Sequence, residues 1–186
     1  AADFTTTEGK PLAAKMIQDR QYVKESLIVC DWIYPISDST LSPDHVGDPT
    51  LESQLFSAVT GIETDEATLY RMGERVFNQQ RAAIIRDGRR GRKDDRLPDD
   101  WHDEPLKKGV MDPDCLVPDK NGKPVSRKGA VVDRQEFEQM QEEYYVIRGW
   151  DSDTGLPTRR TLEGIGLKDV ADDLERRGLL GQEQTK

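Results

Sequence analysis

The stretch from Thr64 to Gly88 leaves this chain the fewest choices. It opens with Thr64-Asp65-Glu66, a hydroxyl suited to an N-cap and acids placed where the positive end of a helix dipole favours them. Leu69, Met72, Gly73, Val76, Phe77, Ala83 and Ile84 then recur at steps of three and four, one apolar stripe on one helix. Gly88 is a natural stop. Such a helix needs neighbours that cover its stripe. Gly73 within it costs about 1 kcal/mol relative to alanine, which close approach of a second helix would explain.

Several segments can serve as those neighbours. Lys10 to about Leu27 reads as a helix: Pro11 suits a first turn, and Leu12, Met16, Ile17, Tyr22, Val23 and Leu27 follow helical spacing. The run Leu27–Tyr34, closed by Pro35, is the densest apolar stretch, and periodicity does not decide between strand and buried helix end. Ser37–Gly47 is polar and turn-rich, a loop. Asp48-Pro49 opens a short helix through about Val59, and Gly61 ends it. Pro98 introduces a short turn of helix through Trp101. Glu104–Val132 is loop-like, with a small ribbon turning at Asn121-Gly122. Asp133-Arg134-Gln135-Glu136 is a capping box with Asp in place of Ser or Thr, and its helix carries Phe137, Met140, Tyr144 and Ile147 up to Gly149. Pro157-Thr158 introduces a short helix with Leu162 and Ile165. A last helix spans about Leu167–Arg177. The expected fold is all-α or mostly α: a single helical domain over residues 1–180 with long loops and at most one short β-ribbon, then a frayed tail at 181–186.

Composition bounds what such a domain can do. Hydrophobic residues make up 34% of the 186, and charged residues also 34%, against about 25% charged in an average domain. Net charge is −9, the isoelectric point is near 4.8 and mean hydropathy is −0.78. The core is thin for the length, so either the loops are long and solvated or one face packs against something else. No run approaches the about 18 apolar residues a membrane span needs. Ala1–Phe4 lacks a basic-then-apolar leader, and a cytoplasmic location is expected. Two cysteines cannot staple a secreted scaffold. Net negative charge argues against broad nucleic-acid binding.

Self-contained catalytic constellations are scarce. His45 and His102 lie in polar loops and read as exposed residues. No G-x-S-x-G, G-x-G-x-x-G or Walker pattern occurs. Glu142-Glu143 and Asp172-Asp173 are helix neighbours about 100° apart and read as a solvated face rather than an acid/base pair. Cys115, in a Pro-rich loop, reads as incidental. Cys30 has two readings, a small buried hydrophobe or a metal ligand. Residues 86–96 hold six basic side chains interleaved with Asp87, Asp94 and Asp95. They form either an ion-paired connector at a helix C-terminus or an anion or partner site. Tyr144, Tyr145 and Trp150 read as packing. Arg148 and Asp151 are expected to fix the turn after their helix.

Several motifs nonetheless occur in a telling order. Gly73-Glu74-Arg75-Val76-Phe77-Asn78 and Arg81 precede Arg92-Lys93-Asp94-Asp95-Arg96-Leu97-Pro98 and Glu104-Pro105-Leu106. Tyr144-Tyr145, Arg148-Gly149-Trp150-Asp151 and Gly155-Leu156-Pro157-Thr158 follow, then Leu162 and Gly166-Leu167. Order and spacing over about residues 10–168 resemble the C-terminal domain of the tungsten-containing aldehyde:ferredoxin oxidoreductase family. That family carries a D-x-x-G-L-C motif here, whose cysteine is the fourth ligand of a 4Fe-4S cluster and whose acid and adjacent backbone contact a pterin. The matching stretch is Glu25-Ser26-Leu27-Ile28-Val29-Cys30, with Glu for Asp, Ile28 for Gly and Val29 for Leu. The resemblance thus implies that Cys30 is the metal ligand and that Glu25 and the Val29 backbone contact the pterin, with no catalytic residue in this segment.

The resemblance also implies the rest. The cofactors would be a tungsten (or molybdenum) bis-pterin and a 4Fe-4S cluster, both requiring domains beyond this chain, since the family's C-x-x-C-x-x-x-C cysteines and pterin-binding β domain lie upstream. The reaction would be aldehyde oxidation to a carboxylic acid, with ferredoxin as electron acceptor, in a full enzyme that can be a homodimer. The segment alone would be inactive. Two alternatives stand beside this: a domain of a benzoyl-CoA-type aromatic-ring reductase of the same superfamily, and a non-catalytic helical interaction domain in which Cys30 is core packing and residues 86–96 are a docking surface.

Overall fold

A computed structural model describes residues 3–30 and 47–183. Asp31–Tyr34, His45 and nearly all of the expected 37–47 loop lie outside the described residues. Seven α-helices and one two-stranded ribbon are present among them, so the protein is mostly α. The helices are α1 (Lys10–Leu27), α2 (Leu51–Thr60), α3 (Glu66–Arg86), α4 (Asp100–Asp103), α5 (Arg134–Arg148), α6 (Arg159–Gly164) and α7 (Lys168–Arg176). Strands β1 (Leu116–Pro118) and β2 (Pro124–Ser126) pair antiparallel, Val117 opposite Val125.

Capping fixes most boundaries. Asp65 rather than Thr64 caps α3, its carboxylate accepting from the Thr68 amide at 2.8 Å. Asp133 caps α5 in the same way through Glu136, and Thr158 caps α6 through Thr161. The helix at 48–59 starts later than its sequence suggests, because Asp48 folds back onto Thr50 in an Asx turn at 2.9 Å before Leu51 begins it. The ribbon's turn is not a two-residue Asn-Gly hairpin. The Asp119 carboxylate accepts from the amides of both Asn121 and Lys123, closing a longer loop.

Helix α3 is the centre of the molecule. One half faces α6 and α7, where Ala82 joins Leu162, Leu167, Ala171 and Leu174 in the apolar core. The other half crosses α1 at Gly73. A Cβ there would collide with the Asp19 carbonyl and sit 2.8 Å from Val23 Cγ2, so glycine lets the two backbones touch. The buried face of α3 differs from its expected stripe: Leu69, Gly73, Asn78, Arg81, Ala82 and Ile85 point inward, while Met72, Val76 and Ile84 are exposed. Helix α1 deviates likewise. Leu12, Met16 and Ile17 face solvent, and Asp19, Val23 and Lys24 are buried. Counting only apolar residues misplaces both faces, because each helix buries charged or amide side chains that have partners across the interface.

The tail is tied down further than the sequence suggests. Gly181 donates to the Pro157 carbonyl at 2.9 Å, and the Gln182 amide donates to Asp151 Oδ2 at 2.9 Å. His102 is half-buried rather than exposed, its Nδ1 2.7 Å from the Val132 carbonyl oxygen.

Candidate functional site

The ordered motifs converge on a polar and aromatic cluster between α1, α3 and α5. Arg81 Nη1 donates to Asp95 Oδ1 at 2.9 Å, and its Nη2 reaches the Gly155 carbonyl at 2.8 Å. Tyr145 donates its hydroxyl to Asp95 Oδ2 at 2.8 Å. Burial alone would raise the Asp95 pKa, but hydrogen bonds from Arg81, its charge, and bonds from Tyr145 and Arg89 hold it below the usual carboxylate range. Tyr145 is pushed well up by burial and by the Asp95 charge, and so stays a neutral donor. Gly155 keeps this clasp tight: at φ +66°, a Cβ there would lie 2.8 Å from Tyr145 Cζ.

Beside it, Trp150 Nε1 donates to Asn78 Oδ1 at 2.8 Å, and the Trp150 ring lies parallel to Phe77 with centroids 5.9 Å apart. Arg148 is fully buried. Its Nη1 meets Asp19 Oδ1 at 2.6 Å, Nη2 meets Gln18 Oε1 at 2.8 Å, and Nε meets the Tyr144 hydroxyl at 2.9 Å. Arg148 therefore does not fix the turn after α5, as the sequence suggests, but crosses to α1. Asp151 does fix that turn, accepting from the amides of Asp153 at 2.9 Å and Thr154 at 3.2 Å. Every one of these side chains has internal partners, so the cluster clasps helices and holds no acid, base or nucleophile waiting for a substrate. In the basic run, Arg89 pairs with Asp95, and Arg90 pairs with Asp94, whose pKa the Arg90 hydrogen bonds bring down to about 2. Those pairs match an ion-paired connector.

The stretch Glu25–Cys30 forms the C-terminal end of α1. The Val29 amide donates to Lys24 O at 2.9 Å and the Ile28 amide to Glu25 O at 3.2 Å. These two bonds make a Schellman turn, which needs a left-handed residue between them. Ile28 fills that position with φ 59° and its side chain 93% exposed. The same paired bonds end α3, α5, α6 and α7 at Gly88, Gly149, Gly166 and Gly178, each with positive φ. Helix α1 alone among these places a β-branched residue there. Beyond the turn, Cys30 is a free, exposed thiol, not the buried hydrophobe its neighbours suggested. Cys115 is the buried cysteine. Glu25 is exposed and accepts from Gln21 Nε2 at 3.2 Å. Under the turn, Lys24 is fully buried; desolvation, helped by Arg20, lowers its pKa against the opposing charge of Glu52. Glu52, 1% exposed, pairs with Arg20 at 3.0 Å.

Among the described residues, no group of three or more His, Cys, Asp or Glu side chains could hold a metal ion. Cys30 fits a metal cluster as a single donor: its thiolate is the soft ligand iron takes, and it lies outside the helix, open to groups from elsewhere. The structure thus brings Glu25, Val29 and Cys30 together on one turn, while the other motif residues cluster along the helices.

Fold and turn together define a helical domain that offers one exposed cysteine beyond a closed helix end. Residues 1–167 match the family described as aldehyde ferredoxin oxidoreductase, domains 2 and 3. The chain belongs to that family. It is also 26% identical over 117 residues to the tungsten-containing aldehyde ferredoxin oxidoreductase of Pyrococcus horikoshii, a match covering 63% of this chain and 16% of that protein. Among solved structures, the active-site complex BamBC of benzoyl coenzyme A reductase, in complex with 1,5-dienoyl-CoA, superposes with a TM-score of 0.64 at 22% identity. That match covers 96% of this chain and 22% of the other, and shows a shared fold. No described helix is long and apolar enough to cross a membrane.

Proposed function

We propose that the chain is the helical C-terminal domain of a tungsten (or molybdenum) bis-pterin oxidoreductase that oxidises aldehydes to carboxylic acids and passes electrons to ferredoxin. One observation carries this reading. The Schellman turn has its left-handed residue, Ile28, at the position matched to the glycine of the family's D-x-x-G-L-C motif, which supports reading Glu25 as the acid and Cys30 as the ligand cysteine. When bound, the metallopterin and the iron–sulfur cluster supply the two-electron chemistry and the exit path for electrons.

The chain's own part is positional. Cys30 would hold the cluster through its thiolate, and the Glu25 carboxylate and the Val29 main chain would hold the pterin. The hydrogen-bonded turn holds all three at fixed spacing, and the clasp of Arg148, Asp19, Arg81 and Asp95 fixes α1 against α3 and α5. The residues that move protons in the reaction belong to the upstream domains of the parent enzyme in this reading, and the segment alone is inactive. The remaining domains of the parent enzyme are its first partners, and the cytoplasm is its place. An aromatic-ring reductase is the second reading, supported by the shape match to the benzoyl coenzyme A reductase complex.

The test is a Cys30→Ser change in the full-length protein, with Cys115→Ser as control. Cys30→Ser should lose iron and the broad absorbance near about 400 nm that thiolate-bound iron gives, and the control should keep both. Unchanged iron content in Cys30→Ser would overturn the assignment. Turnover of an aldehyde rather than an aromatic acyl-CoA separates the two enzymes.

A further inference from the structure

The N-terminal half of α1, the middle of α5 and the 95–97 loop enclose a cleft of about 490 Å³ over α3. This volume is in the range of small-molecule sites, about 300–1,000 Å³. It lies at the end of α1 opposite Cys30. Half-buried Phe77, Leu97, Phe137, Met140 and Tyr144 line it, and Trp150 lies buried beneath. Tyr144 meets Trp150 edge-on with centroids 6.0 Å apart, Phe77 lies parallel to Trp150, and the Arg148 guanidinium covers one face of Phe77 at 4.1 Å, so the floor is a rigid surface of ring edges, ring faces and one planar guanidinium. Such surfaces suit a flat aromatic body at little entropic cost.

Charge chooses the rest of the ligand. Four cations, Lys10, Arg81, Arg89 and Arg96, border the cleft against one carboxylate, Asp95. That carboxylate is already taken by Arg81, Arg89 and Tyr145. Arg96 is exposed at the rim and has no hydrogen bond or ion pair to any described residue. A positive rim in a chain of net charge −9 is a local inversion of sign. A guanidinium at the mouth of an apolar slot matches a carboxylate in geometry and charge.

We infer that this cleft binds a planar aromatic carboxylate, its ring on the Phe77–Tyr144 floor and its carboxylate on Arg96. This inference does not rest on the proposed cofactor chemistry, since none of its residues belongs to the Glu25–Cys30 turn.

The test titrates the full chain with 2-naphthoate, reading the Trp150 indole N–H and Met140 methyl signals by NMR and affinity by calorimetry. Saturable shifts at those groups with a dissociation constant of about 0.1–1 mM are expected. The neutral 2-naphthamide and an Arg96→Gln variant with naphthoate should each bind about 3–10-fold more weakly, the loss expected for one charge-assisted contact. Ala14→Phe, which fills the α1 wall, should abolish the shifts. Either variant binding naphthoate as tightly as the parent, equal affinity for naphthamide, shifts confined to other regions, or no saturation up to about 10 mM would overturn the inference. Arg96 is exposed and unpaired, so its variant decides the matter even if Ala14→Phe fails to fold.

Discussion

Replacing Ile28 with glycine should stabilise this protein, although glycine ordinarily weakens a chain. At φ 59° the Ile28 Cβ crowds the backbone, which costs a non-glycine residue about 1–2 kcal/mol. The side chain returns almost nothing, since 93% of it is in water. Glycine removes the crowding but adds freedom to the unfolded chain, worth about 0.4–1 kcal/mol in the opposite direction. The balance is a gain of about 0.5–1 kcal/mol, or a rise in Tm of about 1–4 °C for a domain of this size. Ile28→Ala is the informative comparison, because alanine keeps the Cβ and hence most of the penalty. Urea titrations of the three proteins at one pH give the ordering by their midpoints. Glycine should exceed alanine, reversing the usual preference. Ile28→Gly equal to or below Ile28→Ala would mean that residue 28 is not held left-handed, and the alignment of Glu25 and Cys30 built on that turn would fall with it.

Two further outcomes follow from the helix clasp. Gly73→Ala gains about 1 kcal/mol of helix propensity but forces α1 off α3 at Asp19 and Val23, an overpacking cost of about 1–3 kcal/mol that also disturbs the Asp19–Arg148 pair; its urea midpoint should fall, and an unchanged midpoint would show that α1 does not cross there. Asp95 has its folded-state pKa held below the ordinary 3.8, so its contribution is complete above that value and is lost as pH falls through the folded-state value. Asp95→Asn should therefore be less stable than the parent at pH 7 and should lose less on acidification through that window; equal acid sensitivity of the two proteins would refute the linkage.

The sequence marked helices well where their ends carry chemistry of their own. Asp133, Thr158, Gly61 and Gly149 are terminal signals that act within a few residues, and the helices they bound lie where those signals put them. It failed at the faces. Asn78 and Arg81 share a face with Ala82 and Ile85 at helical spacing, on the far side of α3 from Leu69 and Gly73, and amide and guanidinium groups are invisible to a search for apolar stripes. Their burial depends on partners that are remote in the chain: Trp150 for Asn78, and Asp95 with Gly155 for Arg81. Arg148 is the same case, with Asp19 on the far side of the chain as its partner. Taking one partner from such a buried pair costs about 3–5 kcal/mol, so these residues are structural requirements that no local pattern reveals.

That distinction divides the family motifs into two kinds. Arg81, Asp95, Tyr145 and Gly155 satisfy one another, Trp150 bonds Asn78, Arg148 bonds Asp19 and Asp151 holds the turn after α5, so their presence in this order is explained by the need to lock α1, α3 and α5 together. The Glu25–Cys30 turn is not explained that way. Its thiol and carboxylate face solvent, and its left-handed position carries a bulky residue whose side chain packs against nothing that would offset the strain. Strain held without packing gain is expected where geometry serves something other than stability. The buried Lys24 and Glu52 beneath the turn point the same way, since placing charge in a helix junction costs more than apolar packing would. A domain built only to fold would fill those positions with leucine and end α1 on glycine, as α2, α3, α5, α6 and α7 do.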